Sequence, residues 1–296
     1  MSGDFERVGI STARLDAELL IAQALGCDRL SLYVDLERPL HTDELERIRQ
    51  LVVRRRRREP VAYILGRREF YGRQFEVTPA VLIPRSDTET LVERALGVVA
   101  AGTAGRDGPL RALDLCTGSG AIAVTLAAEN ERLTIDATDI SAEALQVAQR
   151  NAAKHGTQRR VCFHQGDLFS ALPGGSGETD ASGAESRRYD LIVCNPPYIA
   201  SEQWQQLAPE ITGFEPEIAL RAGSGGLDFY RRICWEVGEW LRPGGWLLLE
   251  VGHDQAEAVG EMLRTSAGLS KVAFHADLAG IQRVVAAMAL ERLKIS

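Results

Sequence analysis

The segment with the most specific chemical potential is Asn195-Pro196-Pro197-Tyr198, which follows the apolar run Leu191 to Cys194. Each proline fixes its own φ and pushes the residue before it into extended geometry, so Asn195 and Pro196 keep little freedom. Two oxygen acceptors, the Asn195 side-chain oxygen and the Pro196 carbonyl, are thereby held in place. The nitrogen of a primary amide or aromatic amine is a poor nucleophile because its lone pair is delocalised. Acceptors that grip both of its N–H bonds let it rehybridise toward an electrophilic methyl group. Those bonds strengthen as positive charge develops on nitrogen, which stabilises the transition state preferentially and requires no general base early. Tyr198 offers a flat face against which a planar group can stack. Taken alone, Asn-Pro is equally an ordinary turn opener, so the reading depends on what lies opposite.

A second constellation supplies that neighbour. Asp114-Leu115-Cys116-Thr117-Gly118-Ser119-Gly120 closes a β-type run, and a helical pattern begins at Ala121. A glycine turn with exposed N–H groups at the carboxyl end of a strand is where doubly wound sheets bind ligands. Asp139 ends the next run, where a carboxylate can accept from the two hydroxyls of a ribose, which implies an adenosine-bearing cofactor. Gly118-x-Gly120-x-x-Ala123 also fits the dinucleotide fingerprint, so by itself it does not separate a nicotinamide enzyme from a methyltransferase. Asp167 follows the third run and can accept from an adenine amino group while Leu168 packs the ring; it reads equally as a loop or cap aspartate.

These residues need a sheet to bring them together. The runs Ala112 to Leu115, Thr134 to Thr138, Val161 to His164, Leu191 to Cys194 and Trp246 to Glu250 alternate with helical patterns, which predicts an α/β fold with a doubly wound parallel sheet. In that topology the fourth strand lies beside the first, so Asn195 to Tyr198 face the Cys116 to Gly120 loop. Val284 to Ala289 reads as a final edge strand. Residues 12–65 read as helices, with apolar stripes at Leu15, Leu19, Leu20 and Leu25 and at Leu45, Ile48, Leu51 and Val52. Glu69 to Tyr71 and Gln74 to Thr78 flank Gly72 as a hairpin. Ser86-Asp87-Thr88-Glu89 reads as a capping box, with Glu89 reaching back to the Ser86 backbone. The expected organisation is a helical domain over 1–66, a hairpin and connecting helix over 67–108, and the α/β domain over 109–296. Residues 171–188 lack periodicity and take no assigned role.

Composition limits the alternatives. The chain has 296 residues, 45% apolar and 25% charged, which suits a globular protein with two domains. No run of eighteen apolar residues and no export-type start occurs, so a cytoplasmic, membrane-free protein is expected. Five scattered cysteines read as buried reduced thiols, and five scattered histidines give no metal-ligand spacing, so no metal is expected. A net charge of −7 argues against holding nucleic acid by general phosphate attraction. The run Arg54 to Arg58 reads first as a solvated helix end that complements the macrodipole, and second as a face for ribosomal RNA or an acidic partner.

With Asp114 to Gly120, Asp139 and Asn195 to Tyr198 together, the chain resembles the HemK/PrmC family of protein-(glutamine-N5) methyltransferases. The segments Arg58 to Gly66, Leu82 to Glu89, Phe214-Glu215-Pro216 and Asp277 to Gly280 carry the likeness along nearly the whole chain. The resemblance implies a seven-stranded, Rossmann-like methyltransferase domain behind an N-terminal helical domain. It also implies S-adenosylmethionine as methyl donor, with S-adenosylhomocysteine as product, and the glutamine of the Gly-Gly-Gln loop of peptide chain release factors as substrate. Carried over residue by residue, Cys116, Thr117, Gly118, Ser119, Gly120, Asp139, Asp167 and Leu168 hold the cofactor. Asn195, Pro196, Pro197 and Tyr198 hold the glutamine, and Asn195 also contacts the cofactor. Cys116 and Ser119, where many release-factor enzymes have glycine and threonine, resemble instead the sister family that acts on a large-subunit ribosomal protein, whereas the Arg54 to Arg58 run, Asp87-Thr88-Glu89 and the region of Arg283 resemble the release-factor branch. An adenine amino methyltransferase of nucleic acid would use the same tetrapeptide, but nothing in the chain resembles a base-recognition module. A nicotinamide oxidoreductase leaves the tetrapeptide without a role.

Overall fold

The structure is a computed structural model and describes residues 1–34, 37–102, 108–173, 188–266 and 268–290; most of the aperiodic 171–188 stretch lies outside these. The first residues form five helices, α1 (Ser2–Arg7), α2 (Ala13–Leu25), α3 (Ser31–Val34), α4 (Thr42–Arg56) and α5 (Val61–Leu65). Their small core gathers Phe5, Ile10, Ala13, Ala17, Leu20 and Ile64, with Leu51 and Val52 packed against it. The buried face of α2 therefore follows its alanines, and Leu15 of the predicted leucine stripe points outward. Small side chains let neighbouring helices approach, which a count of leucines does not register.

The arginine run departs most from expectation. Arg55, at the end of α4, is buried: its guanidinium donates to Asp16 at 2.8 Å and to Glu210 at 3.1 Å. Arg58 donates to the same Glu210 at 2.6 Å and to the Val8 carbonyl at 2.8 Å. Two of the five arginines thus tie the helical segment to a distant part of the chain, because a carboxylate there pairs with what would otherwise be solvated cations.

A hairpin follows, β1 (Arg67–Phe70) and β2 (Arg73–Glu76), joined through Tyr71 and Gly72, both at positive φ as a tight primed turn requires. Phe70 and Phe75 are buried edge to face, with ring centroids 6.0 Å apart. Residues Ser86–Thr88 form a 3₁₀ turn that leads into α6 (Glu89–Gly102). The expected capping box is not made: the Glu89 carboxylate instead accepts from the Tyr71 amide at 3.0 Å, so it fastens the hairpin to α6.

The remaining strands are β3 (Leu110–Leu115), β4 (Leu133–Asp139), β5 (Val161–Gln165), β6 (Tyr189–Cys194), β7 (Leu241–Glu250), β8 (Leu269–Ala276) and β9 (Gln282–Ala289). Between them run α7 (Ala121–Glu129), α8 (Ala142–Lys154), α9 (Pro209–Phe214), α10 (Asp228–Trp240) and α11 (Ala256–Thr265). They build one seven-stranded sheet in the order β5-β4-β3-β6-β7-β9-β8, parallel from β5 to β7, with β9 antiparallel to both neighbours. Side chains alternate between two cores. Ala112, Leu191, Val193 and Leu248 face Leu91, Val92 and Leu126 of α6 and α7, while Leu113, Leu115, Ile192 and Leu249 face Ile233, Val237, Val259 and Leu263 of α10 and α11.

The Val284 to Ala289 strand is not the edge. It lies inside the sheet, and β8 takes the edge. Val284, Val285, Ala286 and Ala287 are all fully buried, as an interior strand covered on both faces requires. The β8 sequence, Leu-Ser-Lys-Val-Ala-Phe-His-Ala, mixes polar and apolar residues in the half-exposed pattern of an edge, and this concealed it.

The cysteines also differ from expectation. All five are free, but Cys27 and Cys162 are exposed and only Cys194 is fully buried. Alternation in β5 carries the Cys162 side chain outward, whatever the apolar content of the run, and Cys27 lies just beyond the left-handed Gly26 that ends α2.

Candidate active site

The loop after β3 carries three residues at positive φ: Cys116 at 59°, Gly118 at 55° and Gly120 at 78°. Beneath it, Asp114 is fully buried; its Oδ2 accepts from the Thr117 hydroxyl at 2.7 Å and from the Ala123 amide at 3.2 Å. Burial pushes its carboxyl up to about 7, against the pull of those two donors. Asn151 of α8 braces the loop from the side, donating to the Ser119 carbonyl at 2.9 Å and the Glu76 carbonyl at 3.0 Å. At Gly120 a Cβ would lie 3.0 Å from the Ala148 Cβ, so the close approach of α8 and the left-handed backbone both call for glycine.

A cavity of about 290 Å³ opens above this loop at the carboxyl ends of β3 to β6. Cys116, Gly118, Asp139, Asp167, Leu168, Asn195 and Pro197 line it, so the two sequence constellations do meet. Thr117, Ser119 and Gly120 do not line it and serve as the frame of the loop. Asp139 holds the cavity's inner wall: its Oδ2 accepts from the Gly118 amide at 2.8 Å and its Oδ1 from the Ser141 amide at 2.9 Å. Burial raises its carboxyl while these amides pull it down. Each oxygen retains a further lone pair for a ligand hydroxyl. Asp167 is half-exposed at the rim and accepts from Arg232 of α10 at 2.6 Å, a partner that the sequence did not reveal. Leu168 is buried beside it at φ 48°.

A second cavity of about 420 Å³ lies next to the first. Tyr198, Arg85, Gln203, Ile211 and Arg283 are among the residues around it, and it shares Leu82, Asn195 and Ala219 with the first. Asn195 thus faces both spaces, and its Nδ2 donates to the Thr88 hydroxyl at 3.2 Å. Pro197 lines the first cavity; Pro196 is buried and lines neither. Burial raises the Tyr198 hydroxyl to about 12, so the ring stays neutral. Gln255 latches the tetrapeptide from behind, donating to the Tyr198 carbonyl at 2.9 Å and the Gly226 carbonyl at 3.2 Å. No Cβ fits at Gly226, since it would lie 2.3 Å from the Tyr198 oxygen.

Two further segments close the second cavity. Glu215 is buried, pairs with Arg85 and accepts from the Ile83 amide at 3.1 Å, which binds Leu82 to Arg85 against Phe214 to Pro216. Arg283 of β9 pairs with Asp87 at 2.9 Å and Asp277 at 3.1 Å. Thr88, Glu250, Gln255, Arg232 and Arg85 were not singled out individually from the sequence. Only the likeness of their segments to a known family pointed toward some of them.

The chain matches two family profiles, described as PrmC N-terminal domain over residues 2–66 and methyltransferase small domain over residues 106–212. A release factor glutamine methyltransferase of Geobacter sulfurreducens is 45% identical over 280 residues, covering 94% of this chain and 90% of that protein. The chain belongs to the release factor glutamine methyltransferase family. A family member from Koribacter versatilis is 42% identical over 280 residues, covering 95% of this chain and 92% of its own length. Among solved structures, the hMettl16 catalytic domain in complex with MAT2A 3'UTR hairpin 6 shares the fold, with a TM-score of 0.55, 18% identity, and 80% and 81% of the two chains covered. The Rossmann-like methyltransferase fold expected from the sequence is therefore present.

The donor set of the first cavity fits the cofactor of this family, S-adenosylmethionine. An acid with open lone pairs stands at the end of β4 for a ribose, and Leu168 and Ile140 offer apolar walls for a purine. Among the described residues no group of three His, Cys, Asp or Glu could hold a metal ion, and no helix is long and apolar enough to cross a membrane.

Proposed function

We propose that this chain transfers a methyl group from S-adenosylmethionine to the side-chain amide nitrogen of the glutamine in the Gly-Gly-Gln motif of peptide chain release factors. One observation carries the reading: Asn195 lies on the boundary shared by a cavity suited to the nucleoside and a second cavity floored by Tyr198. An acceptor group bound against Asn195 therefore faces the first cavity.

Bound in the first cavity, the cofactor supplies an electrophilic methyl group. Every other contribution comes from the chain. Asp139 accepts from the ribose hydroxyls while Gly118 and Ser141 hold its carboxylate still. Asp167 and Leu168 receive the adenine, with Arg232 restraining Asp167. The Asn195 Oδ1, which faces both cavities, accepts an N–H bond of the glutamine amide, while Pro196, which lines neither, holds the backbone of that residue rather than the substrate. The Pro196-Pro197 pair prevents this acceptor from relaxing, so little reorganisation accompanies charge development on nitrogen. Tyr198 stacks on the planar amide, and its neutral hydroxyl neither competes for the methyl group nor adds charge.

The organisation follows: residues 1–66 serve as a substrate-recognition domain, 67–108 as the connecting hairpin and helix, and 109–296 as the catalytic domain. Docking through Arg55, Arg58 and Glu210 sets the first of these against the wall of the second cavity. Modification of a translation factor places the protein in the cytoplasm. The names of the relatives favour a release factor over a large-subunit ribosomal protein, and the net charge of −7 disfavours a nucleic-acid adenine.

The test incubates purified protein and labelled S-adenosylmethionine with release factor, with the ribosomal protein and with DNA, followed by mass-spectrometric mapping. Label on the Gly-Gly-Gln glutamine is expected. Label confined to the ribosomal protein or to DNA overturns the assignment.

A further inference from the structure

Glu250, the last residue of β7, is only 2% exposed, and its Oε2 has no hydrogen-bond partner among the described residues. Such a group is expensive: a buried carboxyl short of donors costs more than an apolar side chain of the same size. It lines neither cavity, yet the Thr88 hydroxyl and the Asn195 amide lie close enough to favour its ionised form. Arg283 and Asp87 act on it from β9 and the 3₁₀ turn with opposite sign, and the Tyr230 hydroxyl donates to its backbone carbonyl at 2.9 Å.

We propose that Glu250, acting through Thr88, is the positioning residue that fixes which end of the Asn195 carboxamide faces the acceptor cavity. The inference rests on the reading of Asn195 as the residue that grips the glutamine amide. Its logic is the direction of a hydrogen-bond chain. Above about pH 7, where the Glu250 carboxyl has given up its proton, the carboxylate only accepts, so the Thr88 hydroxyl directs its single proton toward Glu250. Thr88 can then only accept from its other neighbour, and the donor that Asn195 offers is its NH₂ group, which lies 3.2 Å from the Thr88 oxygen. The Asn195 Oδ1 is left for the cavities, the orientation an amide substrate needs. The prolines fix the backbone at this point, but they do not choose between the two flips of a carboxamide. Glu250 makes that choice, and its poor satisfaction is the cost of an acceptor-only group in that place.

The test compares Thr88→Val, which keeps the shape and removes the hydroxyl, with Thr88→Ser, which keeps the hydroxyl and removes the methyl. In single-turnover methylation of a release factor, Thr88→Val is expected to slow the chemical step about tenfold or more, with KM for the release factor and affinity for S-adenosylhomocysteine nearly unchanged. Thr88→Ser stays within about threefold of wild type on the same account. A merely structural Thr88 gives the reverse order, with valine tolerated and serine impaired, and that result overturns the proposal. Glu250→Gln, whose amide can donate to Thr88 and reverse the chain, is also slowed, and adding Thr88→Val to it costs little more because both act through one path. A second readout needs no substrate: hydrogen exchange of the Asn195 side-chain NH₂ is slow in wild type and Thr88→Ser and fast in Thr88→Val. Equal exchange in all three sinks the inference. Absence of label with wild type instead counts against the release-factor reading, and the exchange measurement still decides the role of Glu250.

Discussion

Replacing Arg55 by methionine isolates the junction between the helical segment and the catalytic domain. The Arg55 side chain is 6% exposed, Asp16 is 7% exposed and Glu210 19%, so the guanidinium sits between two carboxylates with little water to replace it. Removing one partner of a buried pair costs about 3–5 kcal/mol, chiefly the penalty of the charge left behind. Glu210 keeps Arg58 at 2.6 Å, so the stranded group is mainly Asp16 and the expected loss lies near the lower end, about 3 kcal/mol. By calorimetry that corresponds to a fall in Tm of roughly 6–12 °C for the cooperative unit containing the junction. Adding Asp16→Leu removes the stranded charge and is expected to restore a good part of the loss. Glu210 lies in α9, whose Ile211 lines the second cavity, so KM for the protein substrate should rise while affinity for S-adenosylhomocysteine holds. A loss under about 1 kcal/mol, or no recovery in the double variant, refutes the view that this pair is buried and interdependent.

Asn195→Ala is expected to lower turnover about a hundredfold, the cost of one preorganised polar contact, with cofactor affinity little changed; near-normal single-turnover rates would remove Asn195 from the chemistry. Asp139→Asn should weaken cofactor binding in calorimetric titration, because it loses acceptor capacity toward the ribose and loosens the Gly118 and Ser141 amides; unchanged affinity excludes it from the site. Burial lifts the Glu250 carboxyl from its ordinary 4.5 to about 7, so between these values the native state keeps a proton that the unfolded chain releases. Its contribution to stability is therefore full below about pH 4.5 and is lost as pH rises toward about 7. Urea midpoints measured across that window should fall less steeply in Glu250→Gln than in wild type, and parallel slopes refute the assignment.

The strands that hold the site were readable because parallel, doubly covered strands appear as short, mostly apolar runs ended by a glycine or proline turn, as at Ala112 to Leu115, before the Gly118 loop, and Leu191 to Cys194, before the Pro196-Pro197 pair. The loop and the tetrapeptide carry their chemistry within a few consecutive residues, so they too could be recognised. Legibility failed where a residue's meaning lies in its distant partner. Arg55 was indistinguishable from its neighbours until Asp16 and Glu210 came to face it, and Glu250 reads as any strand end without Thr88 beside it. The order of the last two strands was lost for another reason. An edge strand with mixed polarity gives a weak signal, and an interior strand of valine and alanine looks short and marginal.

Leu82, Asn195 and Ala219 are the residues common to both cavities. Nucleoside and polypeptide are therefore expected to occupy adjoining spaces that meet at Asn195. With each in its own space, neither has to leave before the other arrives, so turnover is expected to follow no compulsory sequence of arrivals, with the nucleoside product competing with the incoming donor rather than with the polypeptide.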